Sequence, residues 1–332
     1  LPTPTPMTSR VPTQRCDLPL LATAETCAGR TFIVTGANTG LGFEAAKHLV
    51  KLGAAKVIMA VRNVSAGEAA KTDIETSAGK AGIAEVWSLD LASYQSVIAF
   101  SNRAIQQLDR IDAVIENAGV AAGQRVLAEG HLVTTTVNVF GTFLLAVLLL
   151  PKLMETAKKF NVLPHVTIVS SGVSFDFEEL WANIKDNPLS KMDDEQFPTM
   201  HAYPISKLLE VMAVRHLATL LPVSRTSVVI NCCSPGLCTT SLSRSAPPEF
   251  KERIKKQHEL YGRTSEQGSR TLLHGTVAGR ESHGCFLDSC EIAENLVPSW
   301  VTEEDSRRIW EGIAIELEKA QPGCVQNGLG LP

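Results

Sequence analysis

The stretch Thr35-Gly36-Ala37-Asn38-Thr39-Gly40-Leu41-Gly42 follows the apolar run Phe32-Ile33-Val34 and opens a helix-patterned segment from Gly40 to Leu52. Strand, glycine turn and helix in this order build a cradle for a dinucleotide pyrophosphate. Gly36 permits a sharp turn, and Gly40 lets backbone approach a phosphate with no Cβ in the way. Gly42 allows close helix packing, with the first N–H groups and the positive dipole end facing the anion. Asn38, Thr39 and Leu41 complete the turn. The spacing is G-x-x-x-G-x-G rather than the commoner G-x-G-x-x-G. A glycine turn between strand and helix is also met as a purely structural device, so downstream residues decide.

On either side of this turn, short β-branched runs alternate with helical periods. The pattern predicts strands near Thr31–Thr35, Lys56–Ala60, Ala84–Ser88, Ile111–Ile115, His165–Ser170, Ser227–Asn231 and Gly284–Leu287. Helical periods fall at Gly40–Leu52, Ser93–Leu108, Leu132–Leu150 and Tyr203–Leu220, with a further helix near Glu303–Lys319. Such alternation predicts an α/β fold, a doubly wound Rossmann architecture with a seven-stranded parallel sheet. One domain over 28–320 accommodates it. Residues 1–27 read as an extended arm and 321–332 as a tail. Inserts near 174–202, with Phe175, Phe177, Trp181 and Phe197, and near 241–261, with Pro247-Pro248, follow strand ends. There they are candidate pocket walls or surface decoration.

Bulk composition narrows the function classes. The 332 residues are 44% hydrophobic and 20% charged, with a net charge of −4 and no long basic block. That argues against nucleic acid or an anionic membrane as the main partner. Eight cysteines without C-x-x-C pairs indicate neither a zinc site nor a disulfide framework, and reduced thiols in a cytoplasmic protein are the simplest account. His131, His165, His201 and His274 lack ligand spacing, so no metal is expected. The arm shows no basic-then-apolar leader pattern. The apolar run Phe143–Leu150 is far short of the ~20 residues of a bilayer crossing. It reads as core or as a subunit interface, and a homodimer through paired helices is one of those two readings.

The chemistry-bearing segment is Tyr203-Pro204-Ile205-Ser206-Lys207. Spacing of four puts Tyr203 and Lys207 on one helix face, where an ammonium favours the phenolate of a side chain that ordinarily titrates near pH ~10. Tyr-x-x-x-Lys alone arises in any amphipathic helix. Here it is joined by Ser170-Ser171 after the fifth strand, Asn117-Ala118-Gly119 after the fourth, Asn138 in the following helix, and Pro235-Gly236 after the sixth. All fall at the ligand-binding edge of one fold.

Over Gly29–Leu242 the chain resembles the short-chain dehydrogenase/reductase family, through the glycine motif, Asp90-Leu91, Asn117-Ala118-Gly119, Asn138, Ser171, Tyr203-x-x-x-Lys207 and Pro235-Gly236. Asn138-Val139-Phe140-Gly141-Thr142-Phe143-Leu144-Leu145 and Ala60-Val61-Arg62-Asn63 are similar to its retinol-dehydrogenase-like branch. Fungal secondary-metabolite ketoreductases are similar as well. The resemblance implies that Tyr203 is general acid or base and that Ser171, preferred over Ser170, hydrogen-bonds the substrate oxygen. It further implies that Lys207 bonds the nicotinamide ribose and lowers the tyrosine pKa, and that Asn138 holds a relay water. Asp90 would meet the adenine edge and Thr240, with Thr239 as neighbouring alternative, the carboxamide. Glu116 departs from the pattern by standing where the family often has an asparagine, and Pro204 stiffens the first turn after Tyr203.

Arg62 follows the second strand where an NAD site commonly carries a carboxylate, so charge-assisted pairing with a 2′-phosphate predicts NADP(H). The expected function is NADPH-dependent reduction of a ketone or aldehyde of a lipophilic small molecule, with a place in secondary-metabolite biosynthesis. Alternatives are NADP-dependent alcohol oxidation by the same residues, and a non-redox catalyst or nucleotide-binding scaffold on a reused fold.

Overall fold

Residues 11–330 are described in the computed structural model. Residues 1–10 of the expected arm and 331–332 of the expected tail lie outside them. The main sheet contains β1 (Thr31–Thr35), β2 (Lys56–Val61), β3 (Ala84–Ser88), β4 (Ala113–Glu116), β5 (His165–Val169), β6 (Val229–Ser234), β7 (Phe286–Asp288) and β8 (Glu291–Ile292). Their order is β8-β7-β6-β5-β4-β1-β2-β3. The principal helices are α1 (Gly40–Lys51), α2 (Val64–Ala78), α3 (Tyr94–Gln107), α4 (Thr142–Phe160), α5 (Thr199–Leu220), α6 (Pro248–Tyr261), α7 (Ser265–Val277), α8 (Glu303–Ala320) and α9 (Cys324–Leu329).

The seven strands expected from the sequence all pair in parallel, from Thr31↔Lys56 through Cys232↔Phe286. An eighth was not expected: β8 turns back antiparallel on β7, pairing Glu291 with Asp288. The turn between them is Ser289-Cys290, both at positive φ, 51° and 63°. That conformation normally calls for glycine or asparagine, so the sequence carries no hairpin signal there.

Alternation along the strands splits the core in two. Ile33, Ile58, Val114, Val166, Ile168 and Ile230 face the layer of α3, α4, α5 and α8. Phe32, Val34, Val57, Met59, Ile115 and Cys233 face α1, α2 and α7. The period of two is what the fully buried strands require. The helical stretch Val133–Phe160 is long and apolar enough to cross a membrane, with mean hydropathy 2.0, yet 89% of its most apolar window is buried inside the fold. Of the run Phe143–Leu150, every residue except Leu148 is buried, and Gly328 of α9 lies against Val147. Within one subunit this run is core, and α9, inside the expected tail, packs on it.

Both inserts are helical. In the first, Phe175, Trp181, Met192 and Phe197 are buried. Phe175 packs edge-on to Phe286 at 5.1 Å, and the Trp181 indole N–H donates to Asp305 Oδ2 at 3.3 Å. These side chains belong to the core and do not line a pocket. The second insert is α6, which has no buried residue. Within the arm, Leu18 and Ala22 are buried, so its described part is packed on the domain.

His131 ties the first insert to the C-terminal helix. Its Nδ1 lies 2.5 Å from Asp193 Oδ2 and its Nε2 3.3 Å from Glu316 Oε1. The second Asp193 oxygen accepts the Leu132 N–H at 3.0 Å. The hydrogen bond to Asp193 raises the His131 pKa above its ordinary value, outweighing partial burial. A raised folded value means this contribution is complete below about pH 6.5 and fades as pH rises through the folded pKa. His131→Gln is therefore expected to lower the urea midpoint at about pH 6, with a gap to wild type that narrows toward about pH 8.5. A gap independent of pH would contradict the ion-pair account.

Candidate active site

The glycine turn adopts the geometry its residues permit. Gly36 sits at φ 66° and Gly40 at φ 60°. A Cβ on Gly42 would stand 2.5 Å from Asn117 Nδ2 and 2.7 Å from Gly36 O, so α1 packs against the turn because that atom is missing. Thr39 makes no side-chain cap on α1. Among the described residues no side chain caps the first-turn N–H groups, which leaves them open to an anion at the turn of Ala37, Asn38 and Leu41. Asn117 Nδ2 donates to Thr35 O at 2.8 Å, and the Ala118 N–H to Thr35 Oγ1 at 2.9 Å. These bonds lock the end of β4 to the end of β1.

Arg62 is exposed immediately after β2, and no partner for it occurs among the described residues. Asp90 is half-buried, and its Oδ1 accepts the Ala92 N–H at 3.0 Å, shaping the turn after β3. Leu91 is buried, and its carbonyl would lie 2.3 Å from a Cβ on Gly141. Thr240 leans over the glycine turn, its Cγ2 3.6 Å from the Cβ position of Gly40. Thr239 is exposed, its carbonyl taken by Ser265 Oγ at 2.7 Å. Thr240 is thus the threonine aimed at the turn. Beneath α6 a depression of about 330 Å³ is lined by Thr240, Ser243, Lys251, Lys255 and His258.

Tyr203 and Lys207 lie one turn apart on α5, with the ammonium 5.7 Å from the phenol ring centre. The Ser171 hydroxyl stands near enough to the phenol to oppose the rise in its pKa. Ser170 is turned away, donating to the Lys207 carbonyl at 2.8 Å. Of the two serines, Ser171 is the one facing Tyr203. Asn138 is wholly buried in a π-helical turn, Thr136–Gly141, a local widening met often at functional sites. Its Oδ1 accepts the Val120 N–H at 2.9 Å, and its Nδ2 donates to Val120 O at 3.1 Å and Ser206 Oγ at 2.9 Å. Both amide hydrogens are spent, so a water held by Asn138 would bond a carbonyl oxygen. Gly119 completes the cluster: its Cβ position is 3.3 Å from Asn138 Oδ1 and 3.6 Å from Lys207 Nζ.

One electrostatic expectation fails in this arrangement. Lys207 was expected to hold the phenol low, yet burial pushes the Tyr203 pKa above its ordinary value, reinforced by the Glu210 charge and opposed by the Ser171 hydrogen bond. The reason is the position of the ammonium. Lys207 Nζ donates to Val169 O at 2.8 Å and Glu210 Oε1 at 2.7 Å, in an ion pair buried on both sides. Its charge is spent inward.

Sequence reasoning also missed two supporting residues. Gln14 Oε1 accepts the Leu237 N–H at 2.9 Å, and Gln14 Nε2 donates to Leu237 O at 3.1 Å and Tyr261 O at 2.5 Å. Arg263, 1% exposed, donates to Pro235 O at 2.7 Å, Arg15 O at 2.6 Å and Ser289 Oγ at 2.7 Å. Gly236, at φ 78°, fits between them, with its Cβ position 2.6 Å from both Arg263 Nη1 and Gln14 Oε1. Lone polar residues more than 20 positions from any motif give no sequence signal. Glu210 does: it is the charge in Leu208-Leu209-Glu210-Val211-Met212.

With this geometry in view, comparison with known proteins is decisive at the family level. Residues 30–175 match the family model for short chain dehydrogenases. The short chain dehydrogenase/reductase dmxR8 of Cryptosporiopsis sp. (strain 8999) is 41% identical over 90% of this chain and 94% of its own length. The chain belongs to the short-chain dehydrogenase/reductase family. It is an oxidoreductase acting on CH–OH and C=O groups. Among solved structures, a short chain dehydrogenase from Shigella flexneri 2a str. 301 complexed with NADP shares 21% identity over 81% of this chain and 100% of its own, with TM-score 0.59. The 3-ketoacyl-(acyl-carrier-protein) reductase of Brucella melitensis complexed with NADH shares 19% identity over 79% and 97%, with TM-score 0.58. These two likenesses support the fold.

Gly42→Ala tests the packing that sets the turn. Its new methyl meets backbone at Gly36, which cannot swing aside. The variant is expected to lose about 1–3 kcal/mol, read as a lower urea midpoint at unchanged slope. A wild-type midpoint would show that α1 does not depend on this contact.

Proposed function

We propose that this oxidoreductase is an NADP(H)-dependent reductase that delivers hydride to the ketone or aldehyde of a lipophilic small molecule. The observation that carries the reading is the convergence of Ser171, Tyr203, Lys207 and Asn138 beside a glycine turn built for a pyrophosphate. When bound, the nicotinamide supplies the hydride. Ser171 donates a hydrogen bond to the substrate oxygen and steadies the charge that develops there. The Tyr203 phenol gives that oxygen its proton, and its burial keeps it protonated and ready to donate. Lys207 engages the ribose, and Asn138 anchors the water that resupplies the proton.

The cradle residues are Gly36, Asn38, Thr39, Gly40, Leu41 and Gly42. Asp90, Leu91, Asn117, Ala118 and Gly119 border the adenosine side, and Pro235, Gly236 and Thr240 the nicotinamide side. Arg62 favours NADP(H) because its exposed guanidinium is unspent where a 2′-phosphate would lie. Met200, 70% exposed and one turn before Tyr203, and Val126, 51% exposed, support a lipophilic substrate at the mouth. The secondary-metabolite assignment rests on the sequence resemblance, and a cytoplasmic setting on eight unpaired cysteines. The same groups run the reaction toward alcohol oxidation, with direction set by cofactor ratio.

Tyr203→Phe is expected to reduce turnover by roughly 10²–10⁴-fold with cofactor affinity nearly unchanged. Wild-type rates in that variant would exclude the mechanism. Fluorescence titration is expected to show NADPH binding more tightly than NADH. Arg62→Ala should weaken NADPH by about 10–100-fold, the worth of a charge-assisted contact, and leave NADH unaffected. Equal losses for both cofactors would remove Arg62 from the phosphate.

A further inference from the structure

Behind Lys207 the fold buries more negative charge than the proposed chemistry uses. Glu116, at the end of β4, is 2% exposed, and neither of its oxygens has a protein partner within the described residues. Glu210, on α5, is 1% exposed: Oε1 pairs with Lys207, while Oε2 has no partner. Strand alternation brings the two carboxyls together, because Ile115 faces the α1 layer and Glu116 therefore faces α5. In β5, next to Glu116, Ile168 pairs with it in register, and the following carbonyl, Val169 O, accepts from Lys207. Lys207 pairs directly with Glu210, and the Glu210 charge acts in turn on Glu116. Two carboxylates and one cation in a dry site leave a net buried charge, so one carboxyl stays protonated.

We propose that Glu210, backed by Glu116, is a positioning residue that holds the Lys207 ammonium inward and releases it when cofactor binds. The proposal rests on the reading above, in which Lys207 engages the ribose. Glu116, with no cation of its own, is the neutral member: burial and the Glu210 charge push it well above the carboxylate range. Glu210 is pushed up to about 7 by burial, with the Lys207 charge and hydrogen bond pulling it down. The other titratable groups facing Glu210 are the Tyr203 phenol on α5 and the Cys232 and Cys233 thiols on β6, all raised by burial and uncharged at neutral pH. Withdrawing the ammonium toward the ribose strips Glu210 of the cation that pairs with it. The carboxylate then takes a proton from solvent, while the freed ammonium faces the phenol and lowers its pKa. No bond other than O–H forms, and charge balances by that one proton.

The test is calorimetric titration of the full chain with NADPH at about pH 7 in buffers of differing ionisation heat, which counts protons taken up on binding. Wild type is expected to take up as much as about one proton more than Glu210→Gln. Glu116→Gln, which mimics a neutral carboxyl, should behave as wild type. In kcat/KM for NADPH against pH, which reports the free enzyme where Glu210 is still charged, Glu210→Gln should move the Tyr203-controlled limb to lower pH. Equal proton counts in wild type and Glu210→Gln, with an unmoved limb, would overturn the proposal. Should Glu210→Gln fail to fold, the infrared difference spectrum of wild type on NADPH addition decides. Growth of a protonated-carboxyl stretch supports release, and its absence refutes it. Failure to bind NADPH at all would instead overturn the cofactor reading.

Discussion

The knot between β1, β4 and α1 is the constraint on which the rest of the site depends. Asn117 reaches back to the carbonyl of Thr35 at the end of β1, and Gly42 is the residue that leaves room for that reach. Without a Cβ at Gly42, α1 comes close enough to point its N-terminus over the sheet edge. Because β4 is locked to β1, the next three residues carry the chain past Lys207 and Asn138, and the phosphate end and the reactive end of the cleft are held in one register. A parallel sheet provides this economically, since all its strands finish on the same side.

Polar groups gathered around α5 carry a cost that the surrounding core does not repay in stability. Lys207, Glu210, Ser206, Asn138 and Glu116 are all buried among apolar side chains. Desolvating a charged pair generally offsets most of its attraction, and the unpartnered oxygens of Glu116 and Glu210 add to the deficit. A core built for stability alone would fill this space with leucine. Retention of ionisable groups there fits a site whose work is the movement of a proton.

Elsewhere the molecule spends its irregular segments on support. The arm is bonded through Gln14 to the loop that follows β6 and through the Arg15 carbonyl to Arg263, which also donates to Pro235 O in that loop. The aromatic insert joins the core through Trp181 and Phe175 and is braced by His131 between Asp193 and Glu316. Apolar content in an insert is thus a poor guide to substrate, because an insert must bury its own backbone before it can shape a pocket.

Seven parallel strands, the glycine turn and the Tyr203/Lys207 face were legible in the sequence, because each rests on local periodicity or on a fixed i to i+4 spacing. Asn117 and Ser171 could be placed at the sheet edge from strand ends alone. The antiparallel β8 was not legible, since Ser289-Cys290 adopts its turn only under tertiary constraint. The covered face of α4 was likewise undecided, because a buried helix and an interface helix read alike until Gly328 is seen against Val147. The Lys207 ammonium posed the same difficulty. Its partner choice depends on Val169 and Glu210 meeting in three dimensions, and the sign of the Tyr203 shift follows from that meeting, which spacing along the chain does not encode.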